Sequence, residues 1–252
     1  MTVVSRSIEF ASQRFPRFSS RVLASSGYTT DLSRFGDDAF GVWSRATAER
    51  QDRAWQPIVA ATKAGHPRED VAALYAALET ISSQTQSILE VGCGGGYNSE
   101  MISFRFPGVS YHGVDISTSM IDIAREHYPG RDFAVGSAYD LTCDDSSFDA
   151  VIDGVALLHM QDWKKALAEY ARVARTHVIL HGLTLTDGAA TSTFGKYAYG
   201  QPSLELVFNR AEMIEECTAA GLTLQAVYPG LDYDLRNYIG IESASESWLL
   251  TL

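Results

Sequence analysis

The 252-residue chain is poor in cysteine, short of positive charge and without a long apolar run. Its three cysteines, Cys93, Cys143 and Cys217, lie far apart and form no C-x-x-C pair. A set so sparse and odd in number fits a reducing, cytoplasmic compartment and offers no framework for a structural zinc. Lys and Arg number 20 against 31 Asp and Glu, for a net charge of −11. A grip on nucleic acid needs basic side chains facing phosphates, so this balance argues against such a partner and favours small neutral or cationic ones. No apolar stretch approaches the ~20 residues of a membrane span. There is no internal repeat, no low-complexity tract and no acidic cluster suited to magnesium, so no metal is expected.

What is present is enough apolar material, 46% of the residues, for one large domain or a domain with an appendage. Residues 1 to about 70 carry no strand signal. The opening "MTVVSRSIEFASQRFPRFSSR" is rich in Ser and Arg with one acid, Glu9, a composition found in transit peptides. Phe10, Phe15 and Phe18 suit a docking arm equally well. "DDAFGVWSRATAERQDRAWQPIVAATKA" reads as a helix that stops near "GHP". "REDVAALYAALETIS" reads as a second, with Val71, Leu74, Leu78 and Ile81 three to four residues apart. Strands and helices then alternate. "QSILEVG", "VSYHGVDIS", "RDFAVGSA", "FDAVIDG" and "HVILHGLTL" read as strands, and "TSMIDIAREHY" and "DWKKALAEYARVA" as helices between them. Such alternation predicts an α/β fold, a parallel sheet with helices on both faces. The expected organisation is an N-terminal helical cap over residues 1–70 and a main domain over 71–252.

The stretch "ILEVGCGGGYNSE" ends a strand in an acid, Glu90, and follows it with Gly92, Cys93, Gly94, Gly95 and Gly96. Ligands of parallel sheets sit at the carboxyl ends of strands. Glycine there lets the backbone turn tightly and approach a ligand, while the next helix aims its N–H groups at the same place. Asp115, nineteen residues after Gly96, ends the next strand, where a carboxylate accepts from ribose hydroxyls. A dinucleotide loop would read G-x-G-x-x-G, but Tyr97 stands at the third glycine, and Glu90 would repel a pyrophosphate. An acid at that point suits an ammonium instead. A ligand with a ribose at one end and an amino acid at the other satisfies both acids, and S-adenosylmethionine is such a ligand.

These motifs resemble those of class I S-adenosylmethionine-dependent methyltransferases, the small-molecule branch, over about residues 85 to 185. "ILEVGCGGG", "GVDIS", "GSAYDL", "SFDAVIDGVALLHM" and "VILHGL" stand where that family has its successive motifs. The resemblance implies a Rossmann-like, seven-stranded, mostly parallel sheet with its last strand antiparallel. "GLTLQAVYPGL" and "SESWLLTL" would be the final pair, with an insertion at about 186–210 after the fifth strand. It also implies roles. Glu90 would lie near the methionine amino group, Gly92, Cys93 and Gly94 would line the amino-acid end, and Asp115 would take the ribose. Ile116 and Met120 would pack on adenine, Ser137 and Ala138 would meet its edge, and Asp153 would border the methyl-transfer side. Ser137 departs from the family, which usually has Asp there.

Methyl transfer needs alignment and exclusion of water, and for a hydroxyl or carbon acceptor also a base. His159, following the fourth strand, is the candidate base, with a packing or orienting role as the alternative. His181 is a second candidate. His177 and His181 would lie about 13 Å apart along a strand, too far to chelate. The acceptor pocket is expected from the aromatics of the two flanking regions. These are Phe10, Phe15, Phe18, Tyr28, Phe35, Phe40, Trp43 and Trp55 near the N-terminus, and Phe194, Tyr197, Tyr199 and Phe208 in the insertion. They suit a small hydrophobic or aromatic methyl acceptor, as in secondary metabolism, with room left for a homo-oligomer. A nicotinamide-dependent dehydrogenase, and a methyltransferase-like fold that transfers no methyl, remain the other readings.

Overall fold

Val71, Leu74, Leu78 and Ile81 fall on one face of a helix, and that face is buried. The computed structural model describes residues 27–35, 44–199 and 201–252. Phe10, Phe15, Phe18, Phe40 and Trp43 lie outside the described residues. Helix α1, Arg45–Lys63, is capped by Ser44, whose hydroxyl accepts from the Thr47 N–H, and it buries Ala48, Asp52, Trp55 and Val59 at helical spacing. Helix α2, Glu69–Ile81, follows.

The alternation then appears as β1 (Ser87–Val91), α3 (Tyr97–Arg105), β2 (Ser110–Asp115), α4 (Thr118–His127), β3 (Asp132–Val135) and β4 (Phe148–Asp153). Helix α5 (Trp163–Val173) leads into β5 (Ala174–Thr186), a long strand. Strands β1 and β4 are buried on both faces, as central parallel strands are. Leu89, Val91 and Val151 pack under α5 with Trp163, Leu167 and Tyr170. Ile88 and Ile152, on the opposite face, pack under α2, α3 and α4 with Leu78, Ile102 and Ile121. Asp149, near the start of β4, is structural: it accepts from the Gln86 and Ser87 N–H groups and pairs with Arg175.

The sheet runs β3-β2-β1-β4-β5 in parallel, and strand order reverses between β1 and β4. Beyond β5 comes β9 (Ala244–Thr251), antiparallel to it, and then β8 (Thr223–Pro229), antiparallel to β9. Those seven strands are the expected set, and the last is antiparallel. The sheet has nine, however, because the insertion is a hairpin of β6 (Ser192–Ala198) and β7 (Gln201–Asn209). Gly195 and Pro202 interrupt its alternation and hid the strands in the sequence. The hairpin joins the sheet where β5 overruns: Leu185 and Thr186 pair with Phe208 and Asn209. The overrun follows a break in the β5–β9 register at Gly182, which takes φ 68°, a bulge that bends the strand. Helix α6 (Arg210–Ala219) and a single helical turn, α7 (Arg236–Ile239), complete the chain. Among the described residues, no helix is long and apolar enough to cross a membrane.

Helix α1 is fastened by a column of flat groups. The Trp55 ring stacks on Tyr97 at 3.9 Å and 7°, and the Arg68 guanidinium lies 4.6 Å over Trp55. Residues 27–35 reach the hairpin, where Thr29 and Gly195 exchange two backbone hydrogen bonds and Phe35 lies against Gly195. Trp55→Ala is expected to cost about 3 kcal/mol in urea unfolding, the range for a buried aromatic truncation. A loss under about 1 kcal/mol would show that α1 is not held through this column.

Candidate active site

A crevice at the carboxyl ends of β1 and β4, whose Val91 and Asp153 are register partners, follows from the reversal of strand order. The chain crosses it in a space only glycine fits. Gly92 has φ 74°, and a side chain there would overlap Ala156. A Cβ on Gly154 would stand 2.5 Å from Glu90 Oε1 and 2.7 Å from the Gly92 carbonyl oxygen. Next to it, Val155 holds φ 61°, a costly conformation for a β-branched residue, with its side chain against Gly182.

Over these strand ends opens one cavity of about 1120 Å³. Gly92, Gly94, Asp115, Ile116, Met120, Ser137 and Ala138 line one end of it, and His159 and His181 also face it. Each Asp115 oxygen accepts one backbone N–H, from Gly94 at 2.9 Å and from Ser117 at 2.8 Å, and keeps a second lone pair. Burial pushes this carboxyl above the usual range, opposed by those two bonds. Met120 is buried against Ala48 and Ile123 while bordering the cavity, whereas Ile116 is 68% exposed at its edge.

Three of the expected residues are not brought into the cavity. Glu90 is 1% exposed beneath the glycine loop; Asn98 Nδ2 donates to Oε1 at 2.7 Å and Tyr111 Oη to Oε2 at 2.5 Å. With both oxygens engaged by protein, it braces the loop from below. Burial pushes it up to about 7. Cys93 turns its thiol into the core against Gly113, and its N–H is committed to the Val114 carbonyl. Asp153 accepts from the Ala156 and Leu157 N–H groups and from Tyr170 Oη, which fixes the turn after β4. Burial raises it to about 7 as well. Of the insertion aromatics, Tyr197 and Tyr199 line the cavity, while Phe194 and Phe208 are fully buried.

His159 Nδ1 lies 2.7 Å from the Leu204 carbonyl oxygen. A carbonyl only accepts, so Nδ1 carries the proton and Nε2 is the basic nitrogen. Burial lowers its pKa and keeps the ring neutral. His181, paired with Ser247 Oγ at 2.8 Å, is pushed down to about 4 by burial.

Other lining residues were not foreseen. Gln51, on α1, has a buried Oε1 with no hydrogen-bond partner among the described residues, close against Gly94. Lys196 and Glu205 form an ion pair of 2.7 Å with side chains 18% and 7% exposed. Tyr233 Oη accepts from Lys196 at 2.8 Å and donates to Glu205 Oε2 at 3.0 Å. Lys196 opposes Ser203 across the hairpin, and Glu205 lies two residues on, so both point to one face. Only the register of strands hidden in the sequence brings them together.

The sheet order, the glycine turn and the carboxylate at the end of β2 define the class I methyltransferase fold. Residues 89–181 match the family described as a methyltransferase domain. A phthiotriol/phenolphthiotriol dimycocerosates methyltransferase of Mycobacterium tuberculosis is 34% identical over 92 residues, 36% of this chain and 34% of its own. A demethylmenaquinone methyltransferase of Renibacterium salmoninarum is 36% identical over 90 residues, 36% of this chain and 37% of its own. The match thus spans about a third of the length of these curated relatives. The solved structure of CalS10 with S-adenosylmethionine bound, an amino pentose methyltransferase from Micromonospora echinaspora, superposes with a TM-score of 0.51. Its identity is 19%, covering 76% of this chain and 94% of that one. Residues 89–181 thus resemble a methyltransferase domain, and the fold is that of the class I methyltransferases.

Glu90 carries a pH signature. Unfolded, it protonates near its ordinary 4.5; folded, it keeps its proton up to about 7. Its contribution is therefore full below 4.5 and is lost as pH rises through about 7. Glu90→Gln, which stays neutral, should gain stability relative to the parent as pH rises across that window, read from urea midpoints. A difference independent of pH would show that Glu90 is ionised in the folded protein throughout.

Proposed function

We propose that this chain is an S-adenosylmethionine-dependent methyltransferase acting on a small-molecule acceptor, with S-adenosylhomocysteine as product. The observation that carries this reading is the composition of the cavity over the strand ends. Its glycine-loop end offers a carboxylate, Asp115, and the Gln51 amide, whose Oε1 has no partner among the described residues. Its other end offers a neutral imidazole, His159.

The residues present fit the cofactor. Asp115 has two lone pairs to offer a ribose diol, and the bare backbone at Gly92 and Gly94 leaves room for the amino-acid portion. The Gln51 amide, donor and acceptor at once, suits a zwitterion better than the buried Glu90 does. Met120 and Ile116 offer soft apolar surface to adenine, with Ser137 and Ala138 at its edge. Tyr97, clamped by Trp55, fills the place a dinucleotide loop keeps for glycine, which weighs against a dehydrogenase. When bound, S-adenosylmethionine supplies an electrophilic methyl, whose bond to sulfur breaks as the bond to the acceptor forms, leaving a neutral thioether. The protein's part is to align the acceptor, to exclude water and, for a protic acceptor, to take its proton at His159 Nε2.

Residues 1–70 act in this reading as a cap on the domain of 71–252. In support, α1 contributes Gln51 and Trp55 to the cavity wall, and Arg50 donates to the Tyr199 carbonyl across it. The acceptor is a small molecule and not a nucleic acid, in keeping with the net charge of −11. The two curated relatives are described as methyltransferases of phthiotriol/phenolphthiotriol dimycocerosates and of demethylmenaquinone.

Asp115→Ala should weaken S-adenosylhomocysteine binding about ten- to a hundredfold, the equivalent of about 1.5–3 kcal/mol, by calorimetry on folded protein. Unchanged affinity would move the ribose elsewhere. With an acceptor found by a mass gain of one methyl, His159→Ala should cut turnover by about 10²–10⁴ and leave cofactor affinity near normal. Because burial lowers the His159 pKa, the parent's rate should reach its plateau on the acid side of an ordinary histidine's 6.5. A loss nearer tenfold, with an unchanged pH profile, would make His159 an orienting group.

A further inference from the structure

Two unit charges, Lys196 and Glu205, are held inside the wall of this cavity, although removing charges from water is expensive unless their partners are complete. Both oxygens of the carboxylate are engaged: Glu205 Oε1 takes Lys196 Nζ and Oε2 takes Tyr233 Oη. The ammonium is engaged only in part. It has three N–H donors. One goes to Glu205 at 2.7 Å and one to Tyr233 Oη at 2.8 Å, and the third has no acceptor among the described residues. The same ammonium lies 5.7 Å over the Tyr28 ring and 5.0 Å over the Tyr233 ring. An aromatic box of this kind attracts a cationic ligand, but here the protein's own lysine fills it.

His159 stands beside this pair. Its Nδ1 is fixed by the carbonyl of Leu204, the residue before Glu205, so the ring presents Nε2 as a base. This end of the cavity therefore offers a ligand one cationic donor and one proton acceptor. Among the described residues, the carboxylate beside the lysine, Glu205, is already paired, and the aromatic faces of Tyr28 and Tyr233 already carry a positive charge.

We infer that the acceptor is an acidic hydroxyl compound, a phenol or an enol, whose oxygen is held by Lys196 and whose proton passes to His159, and that it is not an amine. The inference rests on the cavity being a methyl-acceptor site, as proposed above. In the step assigned to these residues, the acceptor O–H bond breaks with its electron pair left on oxygen. The proton goes to His159 Nε2, and the imidazolium later returns it to solvent. The oxyanion so formed faces the Lys196 ammonium, which stabilises the charge as it develops. Nothing is oxidised or reduced. An alkylammonium acceptor would instead meet Lys196 as a like charge, the neighbouring Glu205 charge being already offset by that lysine.

Three matched probes test this in the presence of S-adenosylhomocysteine: 4-nitrophenol, its methyl ether 4-nitroanisole, and 4-nitrobenzylamine. 4-Nitrophenol is expected to bind tighter than either of the others by about tenfold or more. Its absorption in the complex should move to that of the yellow phenolate at a pH where the free probe is mostly un-ionised. Removing Lys196 alone leaves Glu205 buried and unpaired, so the test variant is Lys196→Gln with Glu205→Gln. It should lose the preference and the yellow shift while binding S-adenosylhomocysteine within about twofold of the parent, a difference under 0.5 kcal/mol. Tighter binding of the amine, equal binding of the three, no binding of any, or a preference that survives in the double variant would each overturn the inference. Failure of the parent to bind S-adenosylhomocysteine, with the phenol preference intact, would overturn the cofactor reading and leave the acceptor class standing.

Discussion

The crevice depends on one crowded contact, the buried carboxyl group of Glu90 under the meeting point of two loops. Gly92 follows β1 and Gly154 follows β4; a side chain on Gly154 would meet Glu90 Oε1 and the Gly92 carbonyl oxygen, and one on Gly92 would meet Ala156. Asn98 and Tyr111 hold that carboxyl from α3 and β2, so one side chain ties four elements together. The loop it supports delivers the Gly94 N–H to Asp115, and Asp115 in turn receives the Ser117 N–H at the start of α4. The Asp115 carboxylate is thus set by backbone groups from both sides, a form of preorganisation that lowers the cost of binding a ligand there.

Enclosure follows from two additions to this frame. Helix α1 lies over the glycine loop through the Arg68–Trp55–Tyr97 column, and the β6–β7 hairpin stands on an overrun of β5 made possible by the bulge at Gly182. Between them they shut a polar cluster away from water. Burial moves proton affinities as well: Glu90 and Asp153 beneath the strand-end loops and His181 at the cavity wall all depart in the direction that favours their neutral forms. Lys196 and Glu205 keep their charges because each is the other's partner.

The frame was legible in the sequence because central parallel strands are apolar on both faces and end in residues of unusual type. "ILEVG" and "AVIDG" announce β1 and β4, and the distance from Gly96 to Asp115 marks the end of β2. Side-chain direction was not legible in the same way. Glu90 and Asp153 could be recognised as special acids, yet their partners, Tyr111 and Tyr170, lie 21 and 17 residues away and are reached only by folding. The hairpin was hidden by Gly195 and Pro202, and with it the register that sets Lys196 and Glu205 on one face. Gln51 looked like any polar residue of an amphipathic helix until the helix docked and left its Oε1 without a partner.

The central claim is that the cavity is built for a nucleoside carrying an amino acid and not for a dinucleotide. Calorimetric titration of the purified chain with S-adenosylhomocysteine and, separately, with NAD tests it most directly. The account predicts binding of S-adenosylhomocysteine in the micromolar range, about −8 kcal/mol, and no heat with NAD. Binding of NAD with none of S-adenosylhomocysteine would contradict it.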